Sequence, residues 1–123
     1  MDIVIISGEF RWEAVIYDTP TGKLIYNSLP ISSTVNRWGK EVYFSISVNA
    51  DIEPDGRDLL KEGEIGYWPK GSAFCIFFGP TPISAEGEIR AADKVNVFAK
   101  IKGNLKELKQ LMDGMSIEVI KLQ

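Results

Sequence analysis

The order of hydrophobic and polar residues along this chain predicts a protein built mostly from β-strands. Apolar residues alternate with polar ones over residues 42–48 and 95–101, and this period of two is typical of a strand that is buried on one face. Residues 3–6 and 10–17 are rich in β-branched and aromatic side chains and are separated by Ser7-Gly8, which predicts a hairpin. Three more strands are predicted at 64–68, 73–78 and 115–122.

The predicted strand at 73–78 and the two longest connecting segments differ from this pattern. Residues 73–78 are apolar throughout, so this strand is expected in the middle of a sheet. Residues 49–61 and 79–94 are rich in polar residues, proline and glycine, and both are predicted to be mainly loops. Loops as long as 79–94 are often functional in small domains.

Two short helices complete the prediction. Thr19-Pro20 provides a capping hydroxyl and a proline suited to the first helical turn, which predicts a helix over 20–29. Asn104 and Glu107 resemble a capping box, and leucines follow at helical spacing, which predicts a second helix over 104–112. The expected fold is a mainly β single domain over residues 1–123, a closed antiparallel barrel with two short capping helices.

Composition removes several classes of partner. The chain has 123 residues, 14 Lys and Arg against 17 Asp and Glu, and a net charge of -3, so it has no overall positive field to attract nucleic acid. The apolar run at 3–6 is too short for a signal sequence or a membrane span. We expect a cytoplasmic protein that binds neither nucleic acid nor membrane.

The absence of histidine narrows the chemistry further. The chain contains none, which excludes Ser-His-Asp and Cys-His catalysis and zinc bound by histidine. The single cysteine, Cys75, has apolar neighbours and is expected to be a buried spacer, because burial raises the pKa of a thiol. A carboxylate enzyme would require two of four glutamates to converge, and these are Glu41, Glu53, Glu62 and Glu64.

The acidic segment 51–62 has nearly the spacing of a calcium-binding EF-hand loop. A working EF-hand loop lies between two helices, whereas a predicted strand precedes this segment and Pro54 stiffens it. We therefore interpret 51–62 as a solvated acidic loop and expect neither a metal nor a cofactor.

Amphipathic aromatic residues form the most informative group. Trp and Tyr combine a large apolar surface with a polar atom and dominate binding hot spots, although any single aromatic more often fills the core. Arg37 adjoins Trp38 at the start of the strand that carries Tyr43, and a guanidinium beside an indole can stack on it or donate to a carbonyl. The predicted site for a peptide segment or small molecule comprises Arg37, Trp38, Tyr43, Tyr67, Trp68 and Phe78, with Arg37 as the candidate catalytic residue.

Three segments carry a resemblance to a known family: 36–44, 63–82 and 95–105, with the strings YWP at 67–69 and FFGPTP at 77–82. They resemble the small prokaryotic cyclophilin-like proteins, most of which have no assigned function. The resemblance spans nearly the whole chain. It implies the fold of the cyclophilin peptidyl-prolyl isomerases, a closed antiparallel barrel with a helix at each end.

The same resemblance argues against full isomerase activity. In cyclophilins an active-site arginine is followed by an apolar residue and a glutamine. Arg37 fits the arginine position, but the only glutamines are Gln110 and Gln123. Cyclophilins also place a tryptophan and a histidine before a strand of the type at 95–101, where this chain has Ala-Ala-Asp-Lys at 91–94. The expected function is therefore binding without catalysis, and the alternative is a weak or divergent peptidyl-prolyl isomerase.

Overall fold

The computed structural model describes residues 1–123 and contains ten strands, one α-helix and two 3₁₀ turns. The strands are β1 (Asp2–Ser7), β2 (Phe10–Ile16), β3 (Ile31–Thr34), β4 (Asn36–Trp38), β5 (Glu41–Ser45), β6 (Arg57–Leu60), β7 (Glu64–Trp68), β8 (Ala73–Phe77), β9 (Ile89–Ile101) and β10 (Ser116–Lys121). The helix α1 spans Pro20–Asn27, and the 3₁₀ turns span Pro69–Gly71 and Lys106–Gln110. None of these helices has the length and apolar character needed to cross a bilayer.

The strands form one antiparallel sheet in the order β3-β10-β1-β2-β9-β7-β8-β5-β4, and β6 pairs with β9 outside this path. The edge strands β3 and β4 are consecutive in the chain and are joined by Val35, so the sheet curls until its two edges meet there. The Ser33 hydroxyl donates to the Ser45 carbonyl across this seam at 2.7 Å.

The prediction of a closed barrel is wrong, because no ladder of backbone hydrogen bonds joins the two edges. The backbone of Val35 is already engaged at the seam: its N–H donates to the Met115 carbonyl at 2.8 Å, and its carbonyl accepts from the Gly114 N–H at 2.9 Å. The backbone groups of the residue that joins the two edges are therefore taken by the turn before β10 and are not available for pairing across the seam. The sheet is therefore curled but open.

One predicted helix is confirmed and the other is wrong in type. Helix α1 begins after Thr19, whose hydroxyl accepts from the Gly22 N–H at 3.0 Å. The predicted helix at 104–112 is only a short 3₁₀ turn. Its buried side chains, Leu108 and Leu111, lie three residues apart, which matches the three residues per turn of a 3₁₀ helix.

The predicted strands at 64–68 and 73–78 are confirmed to within one residue. The predicted loops 49–61 and 79–94, however, contain β6 and the first half of β9. These two segments pair with each other, Leu60 opposite Ile89 and Leu59 opposite Arg90. Neither segment has the β-branched or aromatic alternation of a strand, so the strands depend on pairing over a distance of about 30 residues rather than on local preference.

The larger of two hydrophobic cores fills the inside of the curled sheet. Phe44 stacks on Phe74 with ring centroids 4.7 Å apart, and Phe74 meets the edge of Phe98 at 5.2 Å. Tyr67 is fully buried beside them, and its hydroxyl donates to the Val48 carbonyl at 2.6 Å. This bond satisfies the one polar atom that Tyr67 brings into the core.

A smaller core covers the outer face of β7 and β8. It comprises Leu60 of β6, the alternate β8 residues Ala73, Cys75 and Phe77, and Ile89, Ala91 and Val95 of β9. β9 packs closely on β7 at Gly66, where a Cβ atom would lie 2.6 Å from Cγ2 of Val95. All five residues of β8 are consequently buried, as the uninterrupted apolar sequence predicted.

We expect Tyr67→Phe to lower the free energy of unfolding by about 1–3 kcal/mol, because it leaves the Val48 carbonyl unpaired in the core. Urea denaturation followed by circular dichroism measures the change. Tyr43→Phe is the matched control, since Tyr43 is only partly buried and should change stability little. Equal effects of the two substitutions would contradict this role for the Tyr67 hydroxyl.

Candidate functional site

A partly open cavity of about 210 Å³ lies on the outer face of the sheet, between β4, β5, β7 and β8 on one side and β9 on the other. Eight of its ten lining residues are hydrophobic. The lining comprises Trp38, Glu41, Tyr43, Trp68, Cys75, Phe77, Ala91, Ala92, Asp93 and Val95.

Strand register brings the first side chains of this lining together. Trp38 of β4 lies opposite Glu41 of β5, and Glu41 in turn lies opposite Phe77 of β8. Tyr43 pairs with Cys75 two residues further along. Because alternate residues of a strand point to the same face, these five side chains share the outer face of the sheet.

The first half of β9 forms the opposite wall. Ala91 is buried there and Ala92 is exposed at the mouth. Their small side chains leave open the space that a larger residue would fill. The cavity therefore remains open where β9 crosses the outer face with two alanines in the same lining as Glu41.

The structure brings three of the six predicted ligand-binding residues together: Trp38, Tyr43 and Trp68 line the cavity. The other three, Arg37, Tyr67 and Phe78, are not among its lining residues. Tyr67 is enclosed in the larger core, and Phe78 packs against the edge of that core. Arg37 neighbours Trp38 on β4 and so points to the opposite face of the sheet.

Arg37 has a structural environment of its own. Its guanidinium donates to the carbonyl oxygens of Gly39, Lys109 and Leu111 at 2.7, 3.2 and 2.8 Å. The same group lies 5.1 Å from the ring centroid of Phe78. These hydrogen bonds come from Nε and Nη1 and attach β4 to the 3₁₀ turn that precedes β10.

Sequence reasoning did not assign Glu41, Cys75, Phe77 or the segment 91–95 to the site. A signal for the first three was present, since strand alternation places Glu41 on the same face as Tyr43, and an apolar strand such as β8 requires cover on both faces. The contribution of 91–95 had no local signal, because those residues reach the cavity only through the pairing of β9 with β6 and β7.

Glu41 is the polar side chain that sets the charge of the otherwise largely apolar cavity. The residue is 6% exposed, and burial raises the pKa of its carboxyl to about 7, while contact with the Cys75 thiol acts in the opposite direction. No N–H or O–H group of the protein donates a hydrogen bond to this carboxyl. Near neutral pH, Glu41 is therefore close to half protonated and faces an apolar space.

Glu64 shows how the same chain satisfies a buried carboxyl elsewhere. Glu64 is 7% exposed and accepts two hydrogen bonds from the Arg57 guanidinium, at 2.9 and 2.7 Å, and one from the Lys61 N–H at 2.7 Å. Burial alone would raise its pKa, but these donors outweigh burial and the pKa is lowered. Of these two buried glutamates, only Glu41 is left without a cationic or N–H partner.

The remaining polar groups of the cavity are Cys75, Asp93 and Trp68. Burial, followed by the nearby Glu41 charge, raises the pKa of the Cys75 thiol well above its ordinary value, so the thiol stays protonated. Asp93 forms an ion pair with Lys70 at 2.9 Å, which lowers the Asp93 pKa. The nearby Trp68 indole N–H also lowers the pKa of Asp93. This N–H is buried, but its geometry does not amount to a hydrogen bond.

The other candidate carboxylates lie in separate surroundings. Glu41 and Glu64 are on β5 and β7, which β8 separates. The Glu53 carboxylate accepts hydrogen bonds from the backbone and hydroxyl of Thr21. The Glu53 N–H donates to the side chain of buried Asn96 at 2.7 Å, so the acidic segment 51–62 is anchored to α1 and β9. No group of three or more Asp, Glu, Cys or His residues is arranged to hold a metal.

We expect Glu41→Gln to stabilise the protein at high pH relative to wild type. The pKa of Glu41 is about 7 in the folded chain against 4.5 for the free side chain, so the unfolded state binds fewer protons between these values and wild-type stability falls as pH rises through this window. Between pH 4 and pH 8 the difference between variant and wild type should grow by up to about 3 kcal/mol. Urea denaturation at both pH values measures it, and a difference that does not depend on pH would contradict the assignment.

Comparison with known proteins places this chain in a family. The sequence matches the family described as cyclophilin-like over residues 1–120. It is similar to a hypothetical protein from Archaeoglobus fulgidus whose solution structure is known, with 38% identity, a TM-score of 0.84, and coverage of 99% of this chain and 95% of that one. No curated protein matches the sequence. The predicted resemblance is confirmed, and the chain belongs to the cyclophilin-like family.

Proposed function

We propose that this protein binds a small molecule, or a single side chain of a peptide, in the cavity around Glu41 and does not transform it. The observation that carries the proposal is the largely buried Glu41 carboxyl, which faces an aromatic-walled space and has only the weakly donating Cys75 thiol as a protein partner. Buried polar groups in native proteins are almost always hydrogen-bonded. A ligand with a donor group would supply the partner that Glu41 lacks.

The size of the cavity limits the ligand. A volume of about 210 Å³ lies below the range of roughly 300–1,000 Å³ that holds drug-sized molecules. Trp38, Tyr43 and Trp68 are partly buried around the opening, so their rings offer flat apolar walls and leave the mouth accessible. A group of a few carbon atoms with one polar end fits this space.

The arrangement of reactive groups supports binding rather than catalysis. The Cys75 thiol has a raised pKa and is therefore a poor nucleophile. The Asp93 carboxylate is engaged with Lys70, and no second free carboxylate faces Glu41. General acid–base catalysis requires a proton donor and a proton acceptor placed on either side of a reacting group. Glu41 has no such second group opposite it.

We expect Ala92→Trp to abolish binding without unfolding the protein, because Ala92 is exposed at the mouth of the cavity and an indole there closes it. Binding is measured by screening a library of small fragments with ¹H–¹⁵N NMR. The chain has three tryptophans, and a bound fragment should shift the indole signals of Trp38 and Trp68. The signal of Trp12, which is buried in the larger core, should not move.

The matched control is Ala85→Trp, which makes the same change at an exposed alanine outside the cavity. This variant should bind the same fragments as wild type. Fragments that bind equally to both variants, or that shift only Trp12, would show that the cavity is not the site. A library in which no fragment moves Trp38 or Trp68 would overturn the proposed function.

We expect no acceleration of cis–trans exchange in a proline peptide that depends on Arg37. Through Nε and Nη1 the guanidinium donates to three backbone carbonyls on the face of β4 opposite Trp38, so it is held on the side of the sheet away from the cavity. Exchange NMR with wild type and Arg37→Ala tests this. Strong acceleration that is lost in the variant would favour the isomerase instead.

A further inference from the structure

The charged groups that line the cavity all have the same sign. Glu41 and Asp93 are its two acidic residues, and no Lys or Arg is among the ten lining residues. Lys70 is nearby, but its ammonium is paired with Asp93 at the rim, 2.9 Å away, and is largely exposed. A ligand that carries a negative charge would meet two carboxylates and no cation among the lining residues, so repulsion disfavours it.

The aromatic walls favour the opposite charge. Trp38, Tyr43, Trp68 and Phe77 contribute four rings to the lining. The face of an aromatic ring attracts a cation, most strongly when water is excluded, and cages of such rings recognise alkylated ammonium groups. The cavity thus combines a carboxyl for an ion pair with rings for the cation and its alkyl groups.

We propose that the ligand of this cavity is a small organic ammonium ion, whose nitrogen pairs with Glu41 and whose alkyl chain packs against Trp38, Tyr43 and Trp68. This inference rests on the proposed function, because it names the chemistry of the ligand at the same site. An ammonium supplies the N–H donors that Glu41 lacks, and a chain of about four carbons suits a cavity of about 210 Å³.

Binding of an ammonium is expected to depend on pH through Glu41. The titratable groups that face Glu41 are Tyr43 on its own strand, Cys75 from β8 and Asp93 from β9, while β4 contributes the uncharged Trp38. None of them is a cation, so the carboxyl pKa of about 7 describes the cavity without a positive partner. A bound ammonium favours the ionised carboxyl and lowers this pKa.

The direction of the effect follows from proton linkage. An alkylammonium, with a pKa near that of lysine at ~10.4, stays charged up to about pH 9. Glu41 must lose its proton to pair with it, so affinity should rise with pH up to about 7 and level off above. Between pH 6 and pH 8 the dissociation constant should fall about tenfold.

The experiment titrates the full chain with n-butylammonium, n-butanol and butyrate, which have similar size but positive, neutral and negative charge. The indole signals of Trp38 and Trp68 report occupancy, and Trp12 serves as the internal reference. We expect butylammonium to bind at least about tenfold more tightly than butanol at pH 8, and butyrate more weakly than either. Tighter binding of butanol or butyrate would overturn the inference.

Two variants separate the charge of Glu41 from the shape of the cavity. Glu41→Gln keeps the size of the side chain and should remove both the preference for butylammonium and its dependence on pH, while butanol binding is retained. Asp93→Asn changes the rim and should reduce butylammonium affinity less. If Glu41→Gln does not fold, the pH dependence measured on wild type alone still decides: constant affinity between pH 6 and pH 8 would contradict the role of Glu41.

The outcomes also distinguish this inference from the proposed function. If fragments of any charge shift Trp38 and Trp68 but butylammonium shows no preference, the cavity is a binding site and the ammonium inference fails alone. If none of the three compounds and no fragment of the library moves these signals, both fail together. Ala92→Trp should block every compound that shifts Trp38 and Trp68 in the wild type.

Discussion

The arrangement of this molecule depends on the burial of β8 on both of its faces. Alternate residues of this strand, such as Phe74, complete the core inside the curled sheet, whereas Cys75 and Phe77 lie on the outer face. A strand that is apolar on both sides cannot leave one side in water without losing roughly 1.5–3 kcal/mol for each large side chain exposed. β6 and the first half of β9 provide the required cover.

The cavity is the point where this cover is incomplete. Val95 packs tightly over Gly66, where no Cβ atom could be accommodated, but the alanines at 91 and 92 leave a gap over Glu41. The gap contains a buried carboxyl, and an uncompensated carboxyl destabilises the folded chain as pH rises. Glu64, equally buried but held by Arg57, shows that this cost is not a general property of the outer core. A loss of stability caused by a carboxyl with a perturbed pKa in a single cavity is typical of functional sites.

Membership of the cyclophilin-like family defines the fold and leaves function to the site. The similar protein from Archaeoglobus fulgidus is itself described as hypothetical, so the comparison adds no ligand. Within this chain, the arginine that resembles a cyclophilin catalytic residue makes contacts between two parts of the fold. Arg37 binds the carbonyls of 109 and 111 and so attaches the edge strand β4 to the turn before β10, where the open seam of the sheet has no ladder of its own.

The sequence alone determined those features that depend on local periodicity. The strands 64–68 and 73–77 follow from alternation and apolar runs, and α1 follows from Thr19 and Pro20. Of the six residues predicted to bind a ligand, Trp38, Tyr43 and Trp68 line one cavity, whereas Arg37, Tyr67 and Phe78 do not. Each of these inferences uses interactions between residues that are close in the chain.

Only the tertiary structure decided which aromatic residues share a face, where the sheet stops, and which carboxyl is left without a donor. Trp38 and Arg37 are neighbours in sequence but lie on opposite faces of β4, and composition does not reveal which face is covered. β6 and the first half of β9 become strands through contact with each other, and they bring residues 91–95 over Glu41. The pKa of Glu41 depends on water that these distant residues displace. Long-range pairing therefore created the site, because no local pattern records it.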